Sequence, residues 1–430
     1  MKYFNAKYLF VFLLFFIVGY TQAQDADYGK KIVKKLSCAS FKGRGYVQNG
    51  DKKAARYVAK QFKKNGAIPF PSNNNRYLQD YKVAVNCFPK KMEIQLNNQK
   101  LQPGVDFLVD ATNPSIKGSY HIVIGQRRDM LDSLSLFALV RKAADSFLYF
   151  DNSTDSTESK EETSAINQNM RYLQADSSLP IKGIVLYSPK KLTWTVLSFQ
   201  NPKPLIELHK KINNPQTIQL NIDAHLDTNY QTQNIGGYIK GTEISDSFLV
   251  ITAHYDHLGK MGKKTTFYGA NDNASGSGFI LALMRYFQKH PSKYSIAFLA
   301  FSGEELGLKG SEYFVAHPLL DLKKIKFLCN FDMAGTGVDG IQIVNSTIFT
   351  KQYDRLKNIN DHYHFVKEIK QRGEAANSDH YWFYRHGVPS FFFYTLGGVN
   401  YHDVNDTYNS LPFDAWNNYL KLVEAFIGGT

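Results

Sequence analysis

The stretch Ile296-Ala297-Phe298-Leu299-Ala300-Phe301-Ser302-Gly303-Glu304-Glu305-Leu306-Gly307 runs from an unbroken apolar segment straight into two adjacent carboxylates. Such a run suits a buried strand, with Glu304 and Glu305 at its mouth. That placement lets one glutamate hold a metal while its neighbour handles a proton. Working outward, apolar runs at 248–253, 326–331 and 389–394 alternate with helical patterns at 276–288, 305–316 and 413–427. This is the rhythm of an α/β protein with a mainly parallel central sheet flanked by helices.

The residues able to do chemistry cluster at or just past the ends of those runs, where open sheets usually place their sites. His254-Tyr255-Asp256 and Gly269-Ala270-Asn271-Asp272-Asn273 lie upstream of the glutamates, and Asn330-Phe331-Asp332 and Tyr401-His402 lie downstream. Carboxylates and imidazoles in this number can converge on a pair of divalent ions, which points to hydrolysis. From His254 through Asp272, Glu305 and Asp332 to His402 the steps are 18, 33, 27 and 70 residues. Only tertiary folding can assemble such a set, so a local zinc finger is excluded.

Five segments together resemble the secreted zinc aminopeptidases and related exopeptidases of the M28 family. They are Ala253-His254-Tyr255-Asp256-His257-Leu258-Gly259, Gly269-Ala270-Asn271-Asp272-Asn273-Ala274-Ser275-Gly276, Ser302-Gly303-Glu304-Glu305-Leu306-Gly307, Asn330-Phe331-Asp332-Met333 and Tyr401-His402. The likeness covers roughly 230–427, reaches loosely to Leu36-Ser37 and Gly43-Arg44, and is weak in between.

The resemblance implies two Zn2+ ions, with His254 and Asp332 on one, Glu305 and His402 on the other, and Asp272 bridging them. It also implies a cis peptide bond after Asp272 and a Tyr401 hydroxyl facing the developing oxyanion. Asp256 and Asp406 are expected to orient His254 and His402. Glu304 is expected to take a proton from the attacking water and return it to the leaving amine. The activity implied is that of an aminopeptidase. A carboxypeptidase, a glutaminyl cyclase-like enzyme and a non-catalytic peptide-binding protein of the same fold are the alternatives, the last two disfavoured by the complete ligand set.

Other motifs have plainer readings. His257 would crowd a site already supplied with ligands and is assigned a structural or rim role. In Ser378-Asp379-His380, adjacency alone does not build a nucleophile and its base. Gly236-Gly237 and Gly397-Gly398 lack a phosphate-loop spacing and read as turns. Phe391-Phe392-Phe393-Tyr394 reads as a core strand.

Residues 1–24, with Lys2 and Lys7 ahead of the apolar run Leu9 to Val18, have the pattern of a cleaved secretory signal. That run falls short of the roughly 20 residues of a spanning helix, so no stable membrane span is expected after cleavage. The expected divisions are 25–99, an N-terminal part of the peptidase domain; 100–220, a small β-rich insertion; and 221–430, the main metallopeptidase domain. Within the insertion, the polar run Asp151 to Ser164 reads as a loose loop.

The formal charge is +13, or about +11 without Lys2 and Lys7. The lysines are dispersed instead of forming a basic-aromatic groove, so a solvated surface is expected and nucleic acid is not. The expected partner is a peptide substrate, in the periplasm or outside the cell. Cys38, Cys87 and Cys329 are too few and too scattered for a disulfide framework.

Overall fold

The computed structural model describes residues 25–154, 159–191, 193–398 and 400–429. The expected signal at 1–24 lies outside them. Eight strands form the central sheet: β1 (Leu78–Cys87), β2 (His225–Ile239), β3 (Ile244–His254), β4 (Tyr294–Phe301), β5 (Ile325–Phe331), β6 (Ile341–Val344), β7 (Ile369–Gln371) and β8 (Ser390–Thr395). Their order across the sheet is β1-β2-β4-β3-β5-β8-β6-β7. The run from β4 through β3 and β5 to β8 is parallel, as is the β6–β7 pair. The β1–β2, β2–β4 and β6–β8 pairings are antiparallel, so the parallel character is concentrated at the centre.

Strand β4 is buried on both faces from Ser295 to Phe301, as its unalternating apolar sequence requires. On one face the helix Gly276–Lys289 buries Phe279, Leu283 and Phe287. The ring of Phe279 stands 5.0 Å from Phe331, 5.5 Å from Trp416 and 4.5 Å from Tyr419. It thereby joins this helix to the sheet and to the helix Trp416–Gly428, and a fully buried ring of that kind contributes roughly 1.5–3 kcal/mol. No helix of the described residues is long and apolar enough to cross a membrane.

Between β1 and β2 the chain builds a second eight-stranded sheet, from Met92–Leu96 to Thr217–Ile222. Its middle strands, Ile116–Gly125, Phe147–Asp151, Gly183–Tyr187 and Leu205–Leu208, pair in parallel. Parallel neighbours need crossovers, and the helices Ser133–Lys142 and Lys160–Ala175 supply two of them. The second begins inside the polar run 151–164, where Ser159 caps it by accepting the Glu162 amide at 3.1 Å. That capping, followed by Glu161 and Glu162 in the first turn, is a helix start hidden in a segment whose composition reads as loop. The sheet's other face shares a core with Leu258, Met261 and Phe267 of the main domain, and Trp194 stacks on Phe267 at 4.7 Å.

Asp51 sits in the first turn of the helix Gly50–Lys64. Its carboxylate is buried and accepts the Tyr230 hydroxyl at 2.6 Å and the Thr232 hydroxyl at 3.0 Å, tying the helix to β2. The three cysteines are free thiols.

Candidate active site

Because β3, β4, β5 and β8 run parallel, their carboxyl ends share one edge of the sheet. His254 ends β3, Glu304 and Glu305 follow β4, Asp332 follows β5, and His402 lies in the loop after β8. Asp272 comes from the segment Ala270–Ser275, between the hairpin 259–267 and the helix Gly276–Lys289. The Asp272–Asn273 peptide bond is cis. Gly269 has φ +57°, and a Cβ there would stand 2.1 Å from the Asp272 carbonyl and 2.4 Å from the His257 ring, so only glycine fits the turn.

Nε2 of His254 lies 3.3 Å from Oδ1 of Asp272 and 3.3 Å from Oδ1 of Asp332. Nε2 of His402 lies 3.1 Å from the other Asp272 oxygen, Oδ2, and 3.0 Å from Oε2 of Glu305. Atoms about 2.0–2.1 Å from a tetrahedral zinc stand about 3.3–3.4 Å apart, so both spacings suit ligands around an ion. His254 Nε2, Asp272 Oδ2 and Asp332 Oδ1 are buried and make no hydrogen bond, although such atoms are ordinarily paired. The donor set therefore fits metal binding, with His254–Asp272–Asp332 forming one of the close ligand groups.

Electrostatics separate the two glutamates. Burial raises Glu304 well above the usual carboxylate range, and Asp332, Glu305 and Asp379 push it further against the pull of His254. Burial acts the same way on Glu305, but His402 and the His257 hydrogen bond outweigh it and hold that carboxyl at about 2. Adjacent carboxylates driven in opposite directions are the signature of different roles, one able to carry a proton and one permanently anionic. His402, which burial alone would lower, is raised to about 11 by Glu305 and Asp272. Without a cation the site demands protons in its place.

A layer of supporting contacts holds these groups. Thr252 donates to Asn330 at 2.7 Å, Asn330 to Ser378 at 2.8 Å, and Ser378 to Oδ2 of Asp332 at 3.2 Å. The Ser378 hydroxyl is thus committed to Asp332, and the triplet Ser378-Asp379-His380 does not operate as a nucleophile and base. Asp256 accepts the Tyr46 hydroxyl at 2.9 Å and the Glu304 amide at 3.4 Å, and stands 3.5 Å from Nδ1 of His254.

One expectation changes. Asp406 does not reach His402; its oxygens accept the amides of Asn271 at 2.8 Å and Asp272 at 3.0 Å, bracing the bridging residue's backbone. His257 takes the structural of its two expected roles: it is buried, with Nδ1 2.7 Å from Oε1 of Glu305, the oxygen turned away from His402. It orients Glu305, and its adjacency to the His254 segment was the signal that could have shown this.

Arg44 was a further omission. Its buried guanidinium donates to the carbonyls of Tyr255, Leu36, Tyr268, Gly269 and Asp272 at 2.6–3.2 Å. All five N–H groups are used, and they lock the His254 segment to the Asp272 loop. The flanking glycines were the clue: a Cβ on Gly45 would lie 2.5 Å from the Gly259 Cα, so Gly43-Arg44-Gly45 marks a close backbone approach.

The insertion reaches the same place. Trp194 donates its amide to the His402 carbonyl at 3.1 Å, and Lys191 donates to the Tyr401 carbonyl at 3.3 Å. His402 has φ +53°, a conformation costing a non-glycine residue about 1 kcal/mol or more, and the Trp194 contact helps hold it. Tyr401 stacks on His402 at 3.8 Å and is half exposed, lining a cavity of about 390 Å³ with Glu304, Asp272 and Asp332. Burial and the carboxylates of Asp272, Glu305, Glu304 and Asp332 raise its phenol, so it remains a donor.

The profile of peptidase family M28 matches residues 234–427, which include all five candidate ligands, Glu304 and Tyr401. The aminopeptidase YwaD of Bacillus subtilis (strain 168) is 33% identical over 163 residues, covering 36% of this chain and 34% of that protein. The chain thus spans about a third of that relative's length. A peptidase M28 precursor from Shewanella amazonensis SB2B has the same fold, with a TM-score of 0.69 at 16% identity, covering 96% of this chain and 95% of that one. A zinc aminopeptidase from Bacillus subtilis is similar to a TM-score of 0.66 at 18% identity, over 94% of both chains.

Proposed function

We propose that this chain, a member of peptidase family M28 through residues 234–427, is a dinuclear-zinc aminopeptidase acting in the periplasm or outside the cell. The observation that carries the reading is the shared carboxylate: Asp272 turns one oxygen to His254 and the other to His402, each at ligand spacing. His254 and Asp332 would hold one zinc, Glu305 and His402 the other. Zinc bound there supplies Lewis acidity to the scissile carbonyl and lowers the pKa of water.

The protein's own groups do the rest. Glu304 takes a proton from the attacking water and later passes it to the departing amine, a transfer suited to its raised affinity for protons. Tyr401 donates a hydrogen bond to the carbonyl oxygen as negative charge builds on it. Asp406 and Arg44 hold the Asp272 loop still while this happens, and His257 does the same for Glu305.

Tyr401→Phe deletes that donor while keeping the ring on His402. Turnover is expected to fall about 10- to 1000-fold with zinc content unchanged, measured by steady-state kinetics and elemental analysis. Unchanged kcat/KM would remove Tyr401 from the reaction.

The metal ligands account for hydrolysis but do not select a peptide end. Similarity to the aminopeptidase YwaD of Bacillus subtilis supports the amino end. Matched peptides with free and acetylated N-termini should then differ at least about 100-fold in kcat/KM, the scale set by a buried charged group losing its partner. Amidation of the C-terminus of a longer peptide should matter little. Equal cleavage of both N-terminal forms, or product masses showing release from the C-terminus, would leave a dinuclear hydrolase that is not an aminopeptidase.

A further inference from the structure

Arg372 follows the short edge strand β7 and lines the same cavity as Glu304 and Tyr401. Its backbone is fixed: the amide donates to the Ile343 carbonyl at 3.0 Å and to the Ser346 hydroxyl at 3.0 Å, both belonging to the β6 side of the sheet. The guanidinium donates through Nη1 to the Tyr394 hydroxyl at 3.1 Å, and that hydroxyl donates onward to Gln342. A guanidinium has five N–H donors in a planar fork matched to a carboxylate, and on this exposed residue the Tyr394 contact uses one of them.

Two nearby acidic groups are paired with lysines, Asp339 with Lys367 at 3.4 Å and Glu368 with Lys370 at 3.6 Å. The nearby Glu374 instead accepts the Tyr384 hydroxyl at 3.2 Å. The remaining wall mixes the rings of Phe392 and Tyr394, 5.2 Å apart, and Leu396 with the polar Asn377 and Thr395. The carboxylates on the opposite wall would be matched by the two cations of the proposed function, so they do not compete for this cation. What is left is a pocket of aromatic, aliphatic and small polar groups with one planar cation at its wall, an arrangement that can recognise a carboxylate on a short arm.

We propose that Arg372 makes this cavity a carboxylate-binding subsite, so that the preferred peptide carries a carboxylate close to its N-terminal amine. The carboxylate is either the acidic side chain of the first residue or the free C-terminus of a dipeptide. This inference rests on the aminopeptidase reading for the end of the peptide, but the pocket's choice of anion can be measured without turnover.

The zinc-loaded full chain and its Arg372→Gln and Arg372→Lys variants are given two matched pairs: Glu-Ala-Ala-amide with Gln-Ala-Ala-amide, and Leu-Gly with Leu-Gly-amide. In the wild type one pair favours its carboxylate member by about 10- to 100-fold in kcat/KM, the worth of a charge-assisted contact. A preference in the first pair assigns the side chain as the source, and one in the second assigns the terminus. Arg372→Gln abolishes that preference while leaving the neutral member within about threefold, and Arg372→Lys restores part of it. Loss of activity on both members alike, or the same ratio in wild type and Arg372→Gln, overturns the proposal.

If none of the four is cleaved, the aminopeptidase reading fails, and calorimetric titration with glutamate and glutamine decides the subsite. Tighter glutamate binding that disappears in Arg372→Gln upholds it, and equal binding of the two ligands to the wild type rejects it. Zinc content and melting temperature of each variant separate these outcomes from misfolding.

Discussion

Replacing Glu304 by Gln is expected to lower turnover by about 10²- to 10⁴-fold, the range a positioned general base contributes, while the zinc content stays unchanged. The amide matches the carboxylate in shape but cannot accept and return a proton. Zinc retention follows from geometry: Oε2 of Glu304 lies 3.9 Å from Nε2 of His254, whereas Asp272 and Asp332 each approach that nitrogen to 3.3 Å. The loop survives the exchange because its anchor is the Glu304 amide on Asp256, which the substitution does not touch. Product masses give the turnover and elemental analysis gives the metal. Near-normal turnover in a metal-saturated variant would take Glu304 out of the reaction, and a matching drop in zinc would make it a ligand.

The parts of this site that could be read from the chain are those whose chemistry is visible in one residue and its immediate neighbours. The buried strand β4 announces itself because six consecutive apolar side chains fit a strand covered on both faces, and the glutamates beyond it then fall at a strand end. Asp332 and His254 follow by the same logic from β5 and β3. The supporting contacts are different in kind. Arg44 acts over more than 200 residues of sequence through backbone carbonyls, which carry no side-chain identity to read. Asp406 is close in sequence to His402 yet spends its carboxylate on the amides of Asn271 and Asp272, a choice only the turn geometry makes.

The same limit applies to the insertion. Its strands show β-branched and aromatic runs, but the helix Lys160–Ala175 is polar on most of its surface and buries only Ile166, Met170, Leu173 and Gln174. Four contacts spaced along sixteen residues give a weak periodic signal, and the preceding acidic and hydroxyl-rich segment masks the Ser159 cap. How the insertion braces His402 through Trp194 was not legible at all, since the contact uses a backbone amide.

Stripping the metal is expected to reduce activity by more than about 10³-fold and to leave the protein folded, because the loss falls on catalysis and not on the core. The charges of the metal-free site explain why it holds together. His402, at about 11 in the folded protein against 6.5 ordinarily, contributes stability that is complete below pH 6.5 and is lost as pH rises through 11. Glu305, at about 2 against 4.5, contributes stability that is present above pH 4.5 and is lost as pH falls through 2. Near neutral pH, then, a protonated His402 and an anionic Glu305 substitute for the ion between them. His254 is likewise raised well above its ordinary value, because Glu304 and Asp332 outweigh its burial.

A histidine must give up its proton to bind zinc, and His402 is held at about 11, so reloading the protein at pH 7 should release at least about one proton per chain. Calorimetric titration of zinc into the metal-free protein, run in buffers of different ionisation enthalpy, measures that number directly. The companion readings are melting temperature, which should keep a single cooperative transition without metal, and restored turnover on reloading. Zinc uptake with no dependence on the buffer would mean that His402 is not a ligand. Uptake of one ion with full activity would leave Asp272 without a bridge to make.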